Sequence, residues 1–174
     1  MKRAVFLDRD GVLNGLVMRN GKATAPFSLD ELRILPGVPE ALATLRAAGF
    51  QLIVVTNQPD VALGQAEKAH VEAINAHMRA ALPLDDVRVC YHMDGDGCAC
   101  RKPQPGMIYA AAVEREIELT RSFLVGDRWR DIGAGKAAGC TTILANAFPA
   151  EPRVDPDVEV RDLSAAADWI ASRP

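Results

Sequence analysis

The chain has 174 residues, of which 49% are hydrophobic and 25% are charged, and 20 basic residues face 23 acidic ones for a net charge of −3. This composition is near the average of globular proteins, so it excludes an extensively disordered chain. No basic excess favours a nucleic-acid or membrane-surface binder, and no apolar run approaches the ~18 residues that cross a bilayer.

Five short runs, apolar at nearly every position, predict strands buried on both faces, which is typical of a parallel sheet. In chain order these strands are Ala4–Leu7, Leu52–Val55, Val87–Tyr91, Phe123–Val125 and Thr142–Leu144. Helices are predicted at Pro39–Ala48, Ala66–Leu82, Pro105–Glu118, Arg130–Ala138 and Leu163–Ser172, and a proline-rich loop at Ala150–Pro156. This alternation predicts an α/β fold, a doubly wound parallel sheet with helices on both faces, in a single domain over residues 1–174.

Polar residues cluster at the carboxyl ends of the strands, where open parallel sheets bind ligands. These residues are Asp8-Arg9-Asp10-Gly11, Thr56-Asn57-Gln58, Arg101-Lys102-Pro103 and Gly126-Asp127, with Asp131 beyond. In an extended segment Asp8 and Asp10 lie on the same side, and their mutual repulsion is relieved by a cation or a shared proton. Oxygen ligands favour Mg²⁺, and Asp127 would complete its site; the alternative is ordinary cap and turn acids.

Thr56 and Lys102 complement these acids. A phosphoryl group entering a carboxylate-rich pocket needs donors and a cation, which the Thr56 hydroxyl, the Lys102 ammonium and free backbone N–H groups near Gly11 would supply. The alternatives are a helix cap for Thr56 and a solvated surface charge for Lys102. The pattern therefore predicts magnesium-dependent chemistry on a phosphate group.

Four soft or borderline metal ligands lie within eleven positions: Cys90, His92, Cys98 and Cys100. Three cysteines with one histidine form a common composition of closed, structural Zn²⁺ sites. A disulfide, a redox pair and a catalytic zinc are less favoured alternatives, because the C-x-C spacing is cramped, no Cys-x-x-Cys is present and the ligand set is full. Zinc here would hold the loop that carries Arg101 and Lys102.

The four motifs, in this order and spacing over about Val5 to Ala145, resemble those of haloacid dehalogenase (HAD) superfamily phosphatases. The opening Phe6-Leu7-Asp8-Arg9-Asp10-Gly11 and the Cys/His segment before Arg-Lys-Pro are most similar to the subgroup of D,D-heptose 1,7-bisphosphate and histidinol-phosphate phosphatases. The resemblance implies a HAD-like Rossmannoid fold with a structural zinc loop. The segments 11–35 and 59–83 are too short for a large cap domain.

The resemblance also implies a role for each site residue. Asp8 attacks phosphorus to form an aspartyl-phosphate, and Asp10 acts first as acid and then as base. Mg²⁺ is held by Asp8, the Asp10 backbone carbonyl and Asp127, while Asp131 orients metal-bound water or Lys102. Thr56 and Lys102 hold the phosphoryl oxygens, Arg101 faces the rest of the substrate, and the other substrate-binding residues are Asn57, Gln58 and Gly11.

The predicted function is a phosphomonoesterase of carbohydrate metabolism that removes the C7 phosphate of D-glycero-D-manno-heptose 1,7-bisphosphate. Cations that a bisphosphate needs are present at Arg19, Lys22, Arg101, Arg128 and Arg130, which favours it over histidinol phosphate or another small sugar phosphate. A non-catalytic, zinc-stabilised binding module is the alternative from another class, and the presence of both Asp8 and Asp127 argues against it. We expect a cytoplasmic monomer, in keeping with its few cysteines, that binds neither nucleic acid nor membranes.

Overall fold

The computed structural model describes residues 1–149 and 151–173, so Ala150 of the predicted loop and Pro174 of the predicted domain lie outside the described residues. The strands are β1 (Arg3–Leu7), β2 (Val17–Arg19), β3 (Lys22–Thr24), β4 (Phe50–Asn57), β5 (Asp86–Cys90), β6 (Phe123–Gly126), β7 (Thr141–Ala145) and β8 (Val158–Val160). The helices are α1 (Val38–Ala47), α2 (Lys68–Ala81), α3 (Gly106–Arg115), α4 (Trp129–Ala138) and α5 (Leu163–Ala171).

Six strands form one sheet in the order β5-β4-β1-β6-β7-β8, and every neighbouring pair is parallel. β1 lies at the centre, with β4 on one side and β6 on the other. The chain order reverses at β1, so the crevice at its carboxyl end is the usual ligand position of such a sheet. The predicted α/β class is confirmed.

The two faces of the sheet are covered by different helices, as the alternation along β1 shows. Val5 and Leu7 pack into a core that also contains the buried faces of α1, α2 and α5. Ala4 and Phe6 point the other way, into a core shared with α3 and α4. All four side chains are fully buried, and each large apolar one contributes about 1.5–3 kcal/mol. The site therefore stands on a rigid strand.

Helix α4 lies close to the sheet because it carries glycine where it crosses β6 and β7. A Cβ on Gly135 would lie 2.6 Å from Thr142 Cγ2 and 3.1 Å from Leu124 Cβ, so a larger side chain would push the helix away. This close packing brings the first turn of α4 against the carboxyl end of β6. That turn contains Arg130 and Asp131.

The structure differs from the predictions in where helices and strands end and in three short strands. Helix α3 stops at Arg115, because Glu116 adopts a left-handed conformation (φ 58°) and the backbone of residues 116–118 then pairs with Lys2. β8 and the β2–β3 hairpin were not predicted as strands, since neither has a buried apolar run. No helix in the described part of the chain is long and apolar enough to cross a membrane.

Candidate active site

The polar segments that follow β1, β4 and β6 meet at one edge of the sheet. Asp8 directly follows β1, Thr56 lies near the end of β4, and Asp127 directly follows β6. Because β4 and β6 are the two parallel neighbours of β1, their carboxyl ends lie side by side. The convergence expected from the sequence is therefore present in the structure.

Lys102 enters this edge from the loop after β5 and is buried there. Its Nζ donates to Asp8 Oδ1 at 2.8 Å, to Asp131 Oδ1 at 2.5 Å and to the Val55 carbonyl at 2.7 Å. Burial alone lowers a lysine pKa, but the Asp131 and Asp8 carboxylates outweigh it and hold the Lys102 pKa above its ordinary value. The ammonium is thus a fixed positive charge beside Asp8, and the alternative of a solvated lysine is wrong.

The carboxylates of Asp8, Asp127 and Asp131 offer oxygens that all lie within 4.8 Å of one another. Burial, reinforced by Asp131 and opposed by Lys102, raises the pKa of Asp8 to about 6. Burial and the charge of Asp8 raise the pKa of Asp127 to about 9, and its buried Oδ1 has no hydrogen-bond partner among the described residues. Three carboxylates share the single ammonium of Lys102, and Asp127 presents an open oxygen, so the cluster fits a hard divalent cation such as Mg²⁺.

Asp131 uses both carboxylate oxygens within the protein. Oδ1 accepts from Lys102, and Oδ2 accepts from the Arg128 backbone N–H at 3.1 Å, which caps the first turn of α4. This arrangement suits a residue that orients Lys102 better than one that binds a metal directly.

Gly11 is required for the approach of Asp127 to β1. Its φ is +91°, and a Cβ at this position would overlap the Asp127 carboxylate. The Gly11 N–H donates to the Asn14 carbonyl at 2.8 Å, so a backbone N–H for a phosphoryl oxygen would come from a neighbour of Gly11 and not from Gly11 itself. Its contribution to the site is space and backbone conformation.

Asp10 is held on both carboxylate oxygens. Oδ1 accepts from Asn14 Nδ2 at 3.0 Å and from Arg9 Nε at 3.1 Å, and Oδ2 accepts from Gln58 Nε2 at 2.7 Å. Arg9 is fully buried and donates to Asn75 Oδ1 of α2 at 2.7 Å. Neither Asn14 nor Asn75 was predicted as a site residue. Asn75 gives no local signal, because it is 66 residues from Arg9 and resembles any polar residue of an amphipathic helix.

Thr56 and Asn57, at the end of β4, form hydrogen bonds with other residues of the site. Thr56 is buried, and its hydroxyl accepts from Gln58 Nε2 at 2.9 Å. Asn57 donates to the Lys102 carbonyl at 3.1 Å and accepts from the Lys102 N–H at 3.0 Å. The Asn57 side chain therefore fixes the backbone that delivers Lys102.

A cavity of about 250 Å³ opens above this cluster. The predicted site residues that line it are Asp8, Asp10, Asn57, Arg101, Lys102 and Asp131, whereas Gly11, Thr56, Gln58 and Asp127 are not part of its lining. Strand β3 of the hairpin and the residue after it add Ala23, Thr24 and Ala25 to the lining. Arg128 and Arg130 of the segment after β6 complete its basic side.

The Cys/His segment forms a compact cluster beside the site. The Sγ of Cys98 lies 3.8 Å from that of Cys90 and 3.6 Å from that of Cys100, and His92 Nδ1 lies 3.4 Å from Cys90 Sγ. Sulfur ligands of a tetrahedral zinc site with ~2.3 Å bonds are about 3.8 Å apart. The two pairs that include Cys98 are near this spacing, whereas Cys90 Sγ and Cys100 Sγ are 3.0 Å apart, so the four ligand atoms are gathered closely enough for one Zn²⁺ after a small separation of that pair. Burial raises the pKa of Cys90 to about 12, a protonated state that zinc binding would reverse.

The structure combines a doubly wound sheet, paired aspartates after the central strand β1, a buried lysine, and further acids after the neighbouring strand β6. This combination defines a HAD-type hydrolase. The haloacid dehalogenase-like hydrolase family model matches residues 16–139, and the chain belongs to this family. The family resemblance expected from the motifs is thereby confirmed. Its named relatives are phosphatases, which confirms the predicted enzyme class.

Two curated relatives are both named D-glycero-beta-D-manno-heptose-1,7-bisphosphate 7-phosphatase. The one from Rhodopseudomonas palustris is 38% identical over 148 residues, covering 78% of this chain and 79% of the relative. The one from Escherichia coli K12 is 32% identical over 181 residues, covering 96% and 87%. The crystal structure of D,D-heptose 1,7-bisphosphate phosphatase from B. bronchiseptica, complexed with magnesium and phosphate, is 33% identical, covers 98% of both chains and superimposes with a TM-score of 0.82.

Proposed function

We propose that the chain is a magnesium-dependent phosphomonoesterase that removes the 7-phosphate of D-glycero-β-D-manno-heptose 1,7-bisphosphate. The observation that carries the proposal is the position of Asp8 in the cavity wall, with Oδ1 bound by the buried Lys102 ammonium at 2.8 Å. The names of the relatives support the substrate.

In the proposed reaction the carboxylate of Asp8 attacks phosphorus as the bond to the sugar oxygen breaks. Asp10 donates a proton to the leaving alkoxide and then takes one from the water that hydrolyses the aspartyl-phosphate, which releases phosphate and restores Asp8. The three donors to Asp10 hold its carboxyl in one orientation for both steps. Lys102 offsets negative charge at the reacting group, the main requirement of phosphoryl transfer.

Asp8 and Asp127 would hold the Mg²⁺ ion, which supplies charge neutralisation for the phosphoryl oxygens when bound. The open, buried oxygen of Asp127 supports this assignment. Asp131 stays with Lys102, and Gly11 keeps the space that lets Asp127 approach.

Asp127→Asn is expected to abolish the stabilisation of the protein by Mg²⁺. The pKa of Asp127 is 3.8 in the unfolded chain and about 9 in the folded protein. Because the folded protein holds this proton more tightly, the free energy of unfolding falls as pH rises between these two values. Mg²⁺ must displace this proton, so at a fixed Mg²⁺ concentration its apparent Kd should fall, and its stabilising effect should grow, as pH rises across that range. The effect reaches about 2.7 kcal/mol where the concentration is a hundredfold above Kd. Thermal unfolding of metal-free and Mg²⁺-loaded protein between pH 6 and 9 measures both effects.

The exposed Asp30→Asn is the matched control and should keep the Mg²⁺ response of the original protein. The magnesium assignment is wrong if Asp127→Asn retains that response, or if Mg²⁺ stabilises the original protein equally at all these pH values.

We also infer that Cys90, His92, Cys98 and Cys100 bind a structural Zn²⁺. Cys100 is followed directly by Arg101 and Lys102, so the cluster anchors the loop that carries the catalytic cation. Cys90 is the last residue of β5, which ties the loop to the sheet.

Cys98→Ser is expected to reduce the zinc content from about one ion per chain to near zero. The unfolding temperature should fall by about 5–10 °C, since ~1 kcal/mol corresponds to roughly 2–4 °C at this size. Elemental analysis and thermal unfolding measure these changes. Cys140→Ser, a buried cysteine outside the cluster, should keep its zinc; a zinc-free, chelator-insensitive parent protein would refute the assignment.

The substrate assignment is tested by initial rates on heptose 1,7-bisphosphate, heptose 7-phosphate and histidinol phosphate, with and without Mg²⁺. The arginines along the cavity wall favour an anionic group beyond the reacting phosphate, whereas histidinol phosphate carries a cationic one. We expect the highest kcat/KM for the bisphosphate and no turnover of any substrate without Mg²⁺. Preference for histidinol phosphate would overturn the heptose assignment, and Mg²⁺-independent turnover would overturn the mechanism.

A further inference from the structure

Five basic side chains were candidates for a second anionic group, and the structure separates them. Arg19 donates to the Ala25 carbonyl at 2.9 Å, binds Glu31 and stacks on Phe27. Arg19 and Lys22 border a different surface depression, outside the reaction cavity. Both basic residues of the hairpin are therefore unsuited to the substrate.

Arg128 lines the cavity, but its charge is offset by two carboxylates, Glu151 and Asp127, whose Oδ2 lies 3.9 Å from its Nε. Its NH1 donates to Glu151 at 3.0 Å, and its guanidinium lies 4.0 Å from the centre of the Phe148 ring. The two remaining cations are Arg101 and Arg130, and each is adjacent in sequence to a residue of the reaction centre, Lys102 or Asp131. Both line the cavity that contains Asp8.

Arg101 and Arg130 are drawn together by Asp94, which lies in the Cys/His loop. Asp94 Oδ1 accepts from Arg101 Nε at 2.9 Å and from Arg130 NH1 at 3.0 Å, while Oδ2 accepts from Arg130 NH2 at 3.0 Å. The Arg101 NH1 also donates to the His92 carbonyl at 3.1 Å. Two guanidinium groups from separate segments thus share one carboxylate oxygen at the mouth of the site.

We propose that Arg130 and Arg101 form a clamp, aligned by Asp94, that binds the second, non-reacting phosphate of the substrate. This inference rests on the proposed function, and it makes Arg130 a specificity-determining residue and Asp94 a positioning residue. The clamp is built from two separate segments: Arg130 lies in the first turn of α4, and Arg101 follows the last cysteine of the cluster.

The spacing and charge of the clamp match a phosphate. Two guanidiniums that share one carboxylate oxygen are close enough to share one phosphate. Each guanidinium has five N–H donors and uses two of them on Asp94 or the His92 carbonyl, so three remain on each for the phosphate oxygens. Together they carry two positive charges, of which the carboxylate of Asp94 offsets one, so this group of three side chains keeps one net positive charge for the phosphate. A free arginine loses much rotamer freedom on binding, and Asp94 reduces this loss by holding both side chains in place beforehand.

The test compares kcat/KM for heptose 1,7-bisphosphate with kcat/KM for heptose 7-phosphate, which has the same reacting phosphate and leaving group. Arg130→Gln is expected to lower the ratio of these two values about 10-fold, mainly through the KM of the bisphosphate. Asp94→Asn should lower it about 3-fold in the same direction. Arg121→Gln, a remote surface arginine, is the matched control and should leave the ratio unchanged, with all variants compared at equal zinc content.

Each result has one interpretation. If Arg130→Gln lowers activity on both substrates equally or leaves the ratio unchanged, the clamp is wrong while the phosphatase function stands. If Asp94→Asn tightens binding of the bisphosphate, Asp94 competes with the substrate and is no positioning residue. If the original protein turns over neither heptose substrate, the proposed function itself fails.

Discussion

Asp8→Asn is expected to lower kcat at least about 10³-fold while leaving the fold intact. The amide oxygen of asparagine is a poor nucleophile, so formation of the aspartyl-phosphate stops. The pKa of Asp8 is raised from 3.8 to about 6, so ionised Asp8 weakens folding of the metal-free protein above pH 6, and a neutral side chain removes that cost. The unfolding temperature at pH 7.5 should therefore stay the same or rise.

The matched control for Asp8→Asn is Asp60→Asn, which makes the same change in another carboxylate of the same cavity. It should alter kcat by less than about 10-fold, because Asp60 makes no contact with Lys102 or the acid cluster. Phosphate release under saturating substrate, together with thermal unfolding, measures both variants. Substantial activity in Asp8→Asn would remove it as nucleophile, and equal loss in both variants would point to a general effect of cavity charge.

The part of the site that could be predicted from the sequence is the part attached to buried strands. The apolar runs of β1, β4 and β6 are unmistakable, and parallel pairing forces the polar residues that follow them to one edge. Asp8, Thr56 and Asp127 were located in this way. The Cys/His cluster was located by ligand chemistry, since four such residues within eleven positions are rare outside metal sites.

The contacts that position these groups were not predictable, because they join residues that are distant in sequence and lack a local pattern. Asn75 reaches Asp10 through Arg9, and in the sequence it is one polar residue among many in α2. Asp94 lies in a glycine-rich turn, where an aspartate ordinarily serves the turn itself. The hydrogen bond between Asp94 and Arg130 depends on the packing of α4 against the sheet, which has no signal in the sequence around Asp94.

The second large effect is expected for Lys102→Met. This substitution removes the buried cation and replaces it with an unbranched apolar side chain of similar length. Asp8, Asp131 and the Val55 carbonyl each lose a donor, and the acid cluster loses the positive charge at its centre. Removing one partner of a buried ion pair costs about 3–5 kcal/mol, so the free energy of unfolding should fall by that amount. Activity should fall at least about 10³-fold, because Lys102 offsets charge at the reacting phosphate.

Two further variants separate charge from packing in this prediction. Lys136→Met makes the same change on the surface, where the lysine pairs with an exposed carboxylate at 3.4 Å, and should cost less than about 1 kcal/mol. Adding Asp131→Asn to Lys102→Met removes one uncompensated carboxylate, so it should restore part of the lost stability and none of the activity. The double-mutant cycle compares the original protein, Lys102→Met, Asp131→Asn and the double variant. Denaturant unfolding in the absence of metal measures the stability of these four proteins and of Lys136→Met. If Lys102→Met costs no more than Lys136→Met, the buried ammonium does not stabilise the acid cluster, and the electrostatic account of the site fails with it.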